Sequence, residues 1–308
     1  MELACKMSKG TGLLSSGRLE HDSLLTKVIY KLVKKHIAGH TMASAIAKAK
    51  EFNALGIPAS ITFLTQTPQD KAKANYVLAT YMQLIREVSR LNVKASVHMH
   101  IKQLGSTISA DTAASNLEKL LKVGNKSGVF LWCEVDSVND EYSIIKKFEN
   151  ARGLGFACSS IDDALHYVSR QRKAGVLKVS CSDGISATRK DTSEAGAKKE
   201  REKGKETSSD EKVAKLLDAS SSLVLLSPDE RLVKNLTKGK RNYKKSLVFE
   251  FQLGYNEKRL REMAKLGLNL SIYMPFGKDW VSYAMSRVPE GYLRAVSHRL
   301  LKEQGEEP

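Results

Sequence analysis

The sequence predicts an α/β fold, a (β/α)8 TIM-like barrel with additional N-terminal helices. Three observations carry this prediction. Eight short apolar runs of strand length recur along the chain, each followed by a stretch of helical periodicity. Such alternation favours parallel pairing, because a parallel crossover needs a long connection, usually a helix. The eight units span roughly 250 residues, the size of a closed barrel. Finally, no glycine-rich phosphate turn follows the first run, where an open doubly wound sheet usually carries one. The segment GNKSG at 124–128 lacks the spacing of a P-loop.

Taken in order, residues 1–22 are polar and rich in Gly and Ser, and read as a flexible tail; 23–308 read as a single barrel domain. Leu25, Val28, Ile29, Leu32, Val33 and Ile37 fall at helical spacing with lysines opposite, and a second helix over 42–55 stops at Gly56. Strands are expected at 59–64, 95–101, 129–135, 155–159, 176–181, 223–227, 247–252 and 268–274. The helices between them are expected at 70–91, 110–123, 139–150, 161–173, 210–219, 229–236 and 257–266. A last helix covers 280–302, broken near Pro289. The stretch 184–210 interrupts this rhythm. It mixes charges and nearly lacks large apolar side chains, so it cannot offset its ordering entropy and reads as a mobile insertion.

Composition narrows the function classes. The 308 residues hold 50 Lys+Arg against 34 Asp+Glu, a formal charge of +16, which could attract nucleic acid or an anionic membrane. The lysines are spread along the chain, and with 6% aromatics there is no aromatic-and-basic motif of the RNA-binding type. Nucleic acid is therefore not the expected partner. No run approaches the roughly 18 apolar residues of a membrane span, and no secretory signal is read at the start. Cys5, Cys133, Cys158 and Cys181 lie far apart with no CxxC pairing, which points to a reduced, cytoplasmic protein. The basic amphipathic helix over 27–35 could lie against the inner face of a membrane, although its apolar stripe is what packing under a barrel also needs.

In a barrel, function sits where the strands end, here 64–66, 100–105, 133–137, 159–160, 181–184, 227–229, 252–255 and 273–276. His98 and His100 lie two apart on one strand and point to one face, the start of a metal site with Cys133 and Cys181 or an ordinary pair of hydrogen-bonded interior histidines. Cys133 reads as a thiol near His100 or as a small buried hydrophobe. Alternation is expected to turn Glu134 outward, leaving Asp136 or Asp229 as the better acid–base candidates.

Three segments resemble the flavin-dependent proline dehydrogenases. FEFQLGYNEKRLREMAKLGLNLSIYMPFGKDWVSYAMSRVPE at 249–290 looks like the family's strand seven, the turn ending strand eight, and the helix carrying a Tyr-x-x-Arg-Arg pattern. SVHMHIKQLGSTIS at 96–109 resembles its second strand and Lys-Leu-Thr-Gln-Leu-Gly turn, and HIAGHTMASAIAKAKEFNALGIPASITFL its opening helix and first strand. The resemblance covers most of 28–301 in order. It implies the same barrel and FAD-dependent oxidation of L-proline, or a related amino acid, to pyrroline-5-carboxylate, with electrons passed to a quinone or another acceptor.

Position by position, the resemblance implies substrate contacts from Tyr273, Tyr283 and Arg287, the acid Glu290 one turn later, and agreement at Gln103 and Gln252. Ser286 stands where the family has the first arginine of its pair. His100 takes the place of a lysine near flavin and substrate, with Lys102 two residues on. Cys133 takes an aspartate's place, Ala157 a flavin-contacting glutamine's and Pro228 a histidine's, and 177–183 lose flavin-facing basic groups. Losing one bidentate partner of the substrate carboxylate costs about 2–3 kcal/mol. The resemblance thus implies either an impaired FAD-dependent enzyme or a non-catalytic paralogue that binds a small carboxylate or a protein partner without flavin. A metal-dependent barrel enzyme built on His98 and His100 is the third reading.

Overall fold

The computed structural model describes residues 30–31, 34–136, 138, 141–170, 174–181, 209–238, 247–280 and 283. The tail over 1–22, nearly all of the 184–210 insertion and most of the helix expected over 280–302 lie outside the described residues. Eight parallel strands close into a barrel in sequence order, with β1 (Ala59–Phe63) paired to both β2 (Ala95–His100) and β8 (Leu270–Phe276). Between them run β3 (Leu131–Val135), β4 (Leu154–Cys158), β5 (Ala174–Ser180), β6 (Ser220–Leu226) and β7 (Leu247–Gln252). The outer helices are α1 (Met42–Asn53), α2 (Lys71–Arg90), α3 (Ala110–Ser127), α4 (Tyr142–Phe148), α5 (Ile161–Ser169), α6 (Ser209–Ala219), α7 (Glu230–Lys238) and α8 (Glu257–Lys265).

Local chemistry sets where the helices begin. Thr41 and Ser44 form a capping box on α1, and Asp70, Ser109, Ser160 and Asn256 each accept an orphan N–H in the first turn of α2, α3, α5 and α8. The helices then bury one stripe: on α2 it is Ala74, Val77, Leu78, Tyr81, Leu84, Ile85 and Val88.

The outward faces of the strands meet these stripes in one continuous core that includes Ile61, Val97, Met99, Leu131, Cys133, Val135, Leu177 and Ile272. The alternate residues turn inward, and several are polar: Ser60, Thr62, His98, Lys178, Glu250 and Ser271 are all buried. Trp132 fills the interior beside β4, where a Cβ on Gly155 would meet its ring at 2.5 Å.

β5 and β6 begin earlier than their apolar runs predict. Ser220 and Ser222 pair with Ala174 and Val176, so backbone ladder bonds extend a strand that side-chain hydropathy does not mark. α4 is shorter than the 139–150 expected, running only over Tyr142–Phe148.

Candidate functional site at the barrel mouth

The exit of β2 is a built corner. A 3-10 turn over Ile101–Leu104 follows His100 and ends at Gly105, whose φ of 95° favours glycine. Gln103 ties this turn to β1: its Nε2 donates to the Phe63 carbonyl at 2.8 Å, while its Oε1 accepts from Tyr81 Oη at 2.6 Å and from the His100 backbone N–H at 3.0 Å. His100 Nδ1 accepts from the Lys102 N–H at 3.1 Å, so its Nε2 carries the proton donated to Asp136 Oδ1 at 2.8 Å. Lys102 ion-pairs with the other oxygen of Asp136.

These groups border a cavity of about 380 Å³ together with Thr62, Phe63, Leu64, Thr65, Thr67, Glu134 and Tyr273. Its electrostatics are mixed in sign. Burial disfavours charge on His100, yet the Asp136 hydrogen bond and the charges of Glu134, Asp136 and Glu141 raise its pKa overall. Hydrogen bonding to His100, reinforced by Lys102, holds Asp136 well below the usual carboxylate range. Burial works against ionised Glu134 but is outweighed by the His98 hydrogen bond, together with the neighbouring His100 and Lys178. The cavity therefore presents carboxylates and cations side by side, with the Tyr273 phenol and Phe63 ring as walls.

Beneath it lies a buried polar array. Lys178 Nζ donates to Glu250 Oε2 at 2.8 Å, Ser60 Oγ at 3.0 Å and His98 Nδ1 at 3.3 Å, and stands 4.6 Å from the Trp132 ring centroid. His98 Nε2 in turn reaches Glu134 Oε2 at 2.8 Å. Burial, with the Lys178 charge, pulls His98 below its ordinary pKa, so the ring is neutral. Tyr273 stacks edge-on against it at 5.2 Å.

Of the residues singled out from sequence, His100, Lys102, Gln103 and Tyr273 border this one cavity. Gln252 lies at the end of β7, paired in register with Tyr273. Tyr283 is half-buried and close enough to oppose ionisation of Tyr273, whose hydroxyl burial already holds well above the ordinary range. Arg287, Ser286 and Glu290 lie outside the described residues.

Two expectations need correction, and one of the open alternatives falls. Cys133 does not face the interior: it is fully buried against the helical layer, and burial pushes its thiol up. Glu134, expected to turn outward, is the β3 side chain that faces the cavity. His98 and His100 do not converge on one point, since each goes to its own carboxylate; among the described residues no group of three or more His, Cys, Asp or Glu could hold a metal ion. Lys178 went unnoticed in the sequence, although a lone lysine in an apolar strand is itself the signal of a paired interior charge.

No protein-family model matches the chain. Among curated proteins it is similar to proline dehydrogenase 1 of Bacillus subtilis strain 168, with 22% identity covering 83% of this chain and 86% of the relative. Proline dehydrogenase 2 of the same strain is 23% identical over 83% of this chain and 85% of its own length. The chain is similar to proline dehydrogenases over most of its length, at 21–23% identity. Among solved structures, proline utilization A from Bdellovibrio bacteriovorus, inactivated by N-propargylglycine, superposes with a TM-score of 0.63 at 15% identity, covering 95% of this chain and 36% of that one. Proline utilization A from Bradyrhizobium japonicum gives 0.55 at 13% identity, covering 85% and 31%. The chain thus spans about a third of the length of those larger proteins. Among the described residues, no helix is long and apolar enough to cross a membrane.

At the mouth, His100 is tied to Asp136. The basic group that β5 turns inward, Lys178, is sequestered by Glu250 beneath the mouth.

Proposed function

We propose that the chain is a proline-dehydrogenase-type oxidoreductase that binds L-proline, or a related small amino acid, at the barrel mouth and uses FAD. The observation supporting this is the gathering of His100, Lys102, Gln103 and Tyr273 around one cavity of about 380 Å³, a volume suited to a small ligand. In this reading Lys102, with Arg287 and Ser286, takes the substrate carboxylate, Tyr273 and Tyr283 wall the ring, and Glu290 orients Arg287.

A bound polar cofactor fits the opposite edge. Ser227, at the exit of β6, has a φ of 56° and a buried Oγ with no hydrogen-bond partner among the described residues. An unpaired buried hydroxyl costs about 1–3 kcal/mol, and a polar group bound there would relieve it. Ser227 and the half-exposed Gln252 would hold FAD across the small side chain of Ala157. When bound, FAD supplies the hydride acceptor, and a quinone or other acceptor would take the electrons onward.

The sequestration of Lys178 favours a second reading, a paralogue that binds the amino acid without flavin. Absorbance of the purified chain separates the two. Flavin bands near stoichiometric occupancy, bleached by L-proline, are expected. A colourless protein whose melting temperature rises with L-proline but not with FAD overturns the first reading in favour of the second.

A further inference from the structure

We infer that Glu134 is the receptor for the ligand's ammonium group, and that neutral His98 is the positioning residue that aims it. This rests on the reading that the cavity takes a small amino acid. Two carboxylates border the cavity, and they differ in how they are used. Asp136 has one oxygen on His100 and the other on Lys102. Among the described residues Glu134 has only Oε2 engaged, by His98 at 2.8 Å; its side chain keeps 30% exposure, and Oε1 has no hydrogen-bond partner among them.

The groups below fix this arrangement. The Lys178 ammonium has three N–H donors and no lone pair, and they serve the Glu250 carboxylate, Ser60 Oγ and His98 Nδ1. His98 Nδ1 must therefore accept, which leaves its proton on Nε2, directed at Glu134. Glu134 is left ionised, fixed through one oxygen and open through the other. Lys102 provides the opposite charge at the same cavity, and Tyr273 and Phe63 provide apolar walls. That arrangement matches a zwitterion with a small hydrocarbon body. A simple carboxylate of the same shape would leave Glu134 facing no cation.

The test compares L-proline with cyclopentanecarboxylate, which has the same ring size and carboxylate but no nitrogen, by calorimetric titration of the full chain. The unmodified protein should prefer L-proline by about tenfold or more, as one charge-assisted hydrogen bond implies. Glu134→Gln should erase the preference while leaving cyclopentanecarboxylate bound as well as before, or more tightly. A preference that survives Glu134→Gln, or equal binding of both ligands by the unmodified protein, overturns the inference and leaves the small-carboxylate site standing. Binding of neither ligand overturns the reading of the cavity and the inference with it.

The positioning role has its own pair of variants, which also serve if Glu134→Gln does not fold. His98→Ala should lose the preference, and His98→Gln, whose amide N–H can replace Nε2–H, should regain it. Weakening of both ligands alike in both variants overturns the positioning role.

Discussion

Lys178 on β5 and Glu250 on β7 meet inside the barrel at 2.8 Å, with side chains only 1% and 2% exposed, although β6 separates their strands. The pair is completed by Ser60 from β1 and by Ser271 from β8, whose hydroxyl donates to Glu250 Oε1. The adjacent strands β7, β8 and β1 thus share one charge-paired knot with β5, reached across β6.

Removing one partner should be costly. Lys178→Met leaves the Glu250 carboxylate buried without a cation, and a broken buried pair of this kind costs about 3–5 kcal/mol. The double substitution Lys178→Met with Glu250→Leu should recover most of that loss, because two apolar side chains need no desolvation. Urea denaturation of the three proteins checks this. A double variant as unstable as the single one would mean that the pair's packing, not its charge, is what the barrel needs.

Cys133 makes the opposite prediction. It is buried among the outward residues of β3 and does not border the cavity. Cys133→Ala should therefore leave ligand binding within about twofold while lowering stability by about 1 kcal/mol, as removal of a small buried group does. Calorimetric titration and thermal melting of one sample measure both. A tenfold loss of binding with unchanged melting would return the thiol to the site.

How far the sequence carries explains this correction. The eight strands and their order were legible because each apolar run has strand length and a helical partner. Which face of β3 points inward was not. In a parallel barrel both faces of a strand are buried, one by helices and one by the interior, so alternation shows two faces without naming the inner one. Cys133 and Glu134 were assigned to opposite faces correctly and to the wrong sides. The early start of β5 and β6 was hidden for a related reason: Ser220 and Ser222 are held by backbone pairing, which leaves no hydropathy signal. At the mouth, His100, Lys102, Gln103 and Tyr273 were found through turn position and resemblance. The array of Lys178, His98 and Glu134 joins three strands, and only closure of the ring brings it together.

His100 should impose a pH dependence on stability. Its folded pKa is raised above the ordinary 6.5 by the Asp136 hydrogen bond and neighbouring carboxylates, which overcome burial. A raised folded value means that the native state binds the proton more tightly. The contribution is then fully present below about 6.5 and is lost as pH climbs through the folded value. Protonation must also displace the Lys102 N–H from Nδ1, which moderates the gain. His100→Gln should accordingly cost more stability at pH 5.5 than at pH 9, read from denaturant midpoints across that range. An equal cost at both ends would show that the ring acts only through its neutral form.

Gln103 looks like a ligand-facing residue, yet its amide is already committed to the protein. Its Oε1 accepts from the fully buried Tyr81 hydroxyl and from the His100 N–H, and its Nε2 holds the Phe63 carbonyl. Gln103→Leu keeps the volume and strands all three partners, each worth about 1–3 kcal/mol when buried and unpaired, with less than additive effect. Tyr81→Phe removes only one donor and should cost about 1 kcal/mol. Because Gln103 joins the exits of β1 and β2, its loss should also release the turn that carries His100 and Lys102. Gln103→Leu is therefore expected to weaken L-proline binding at least tenfold, against less than threefold for Tyr81→Phe, in calorimetric titrations below each variant's melting temperature. Unchanged affinity in a destabilised Gln103→Leu would show that the corner holds its shape through packing alone.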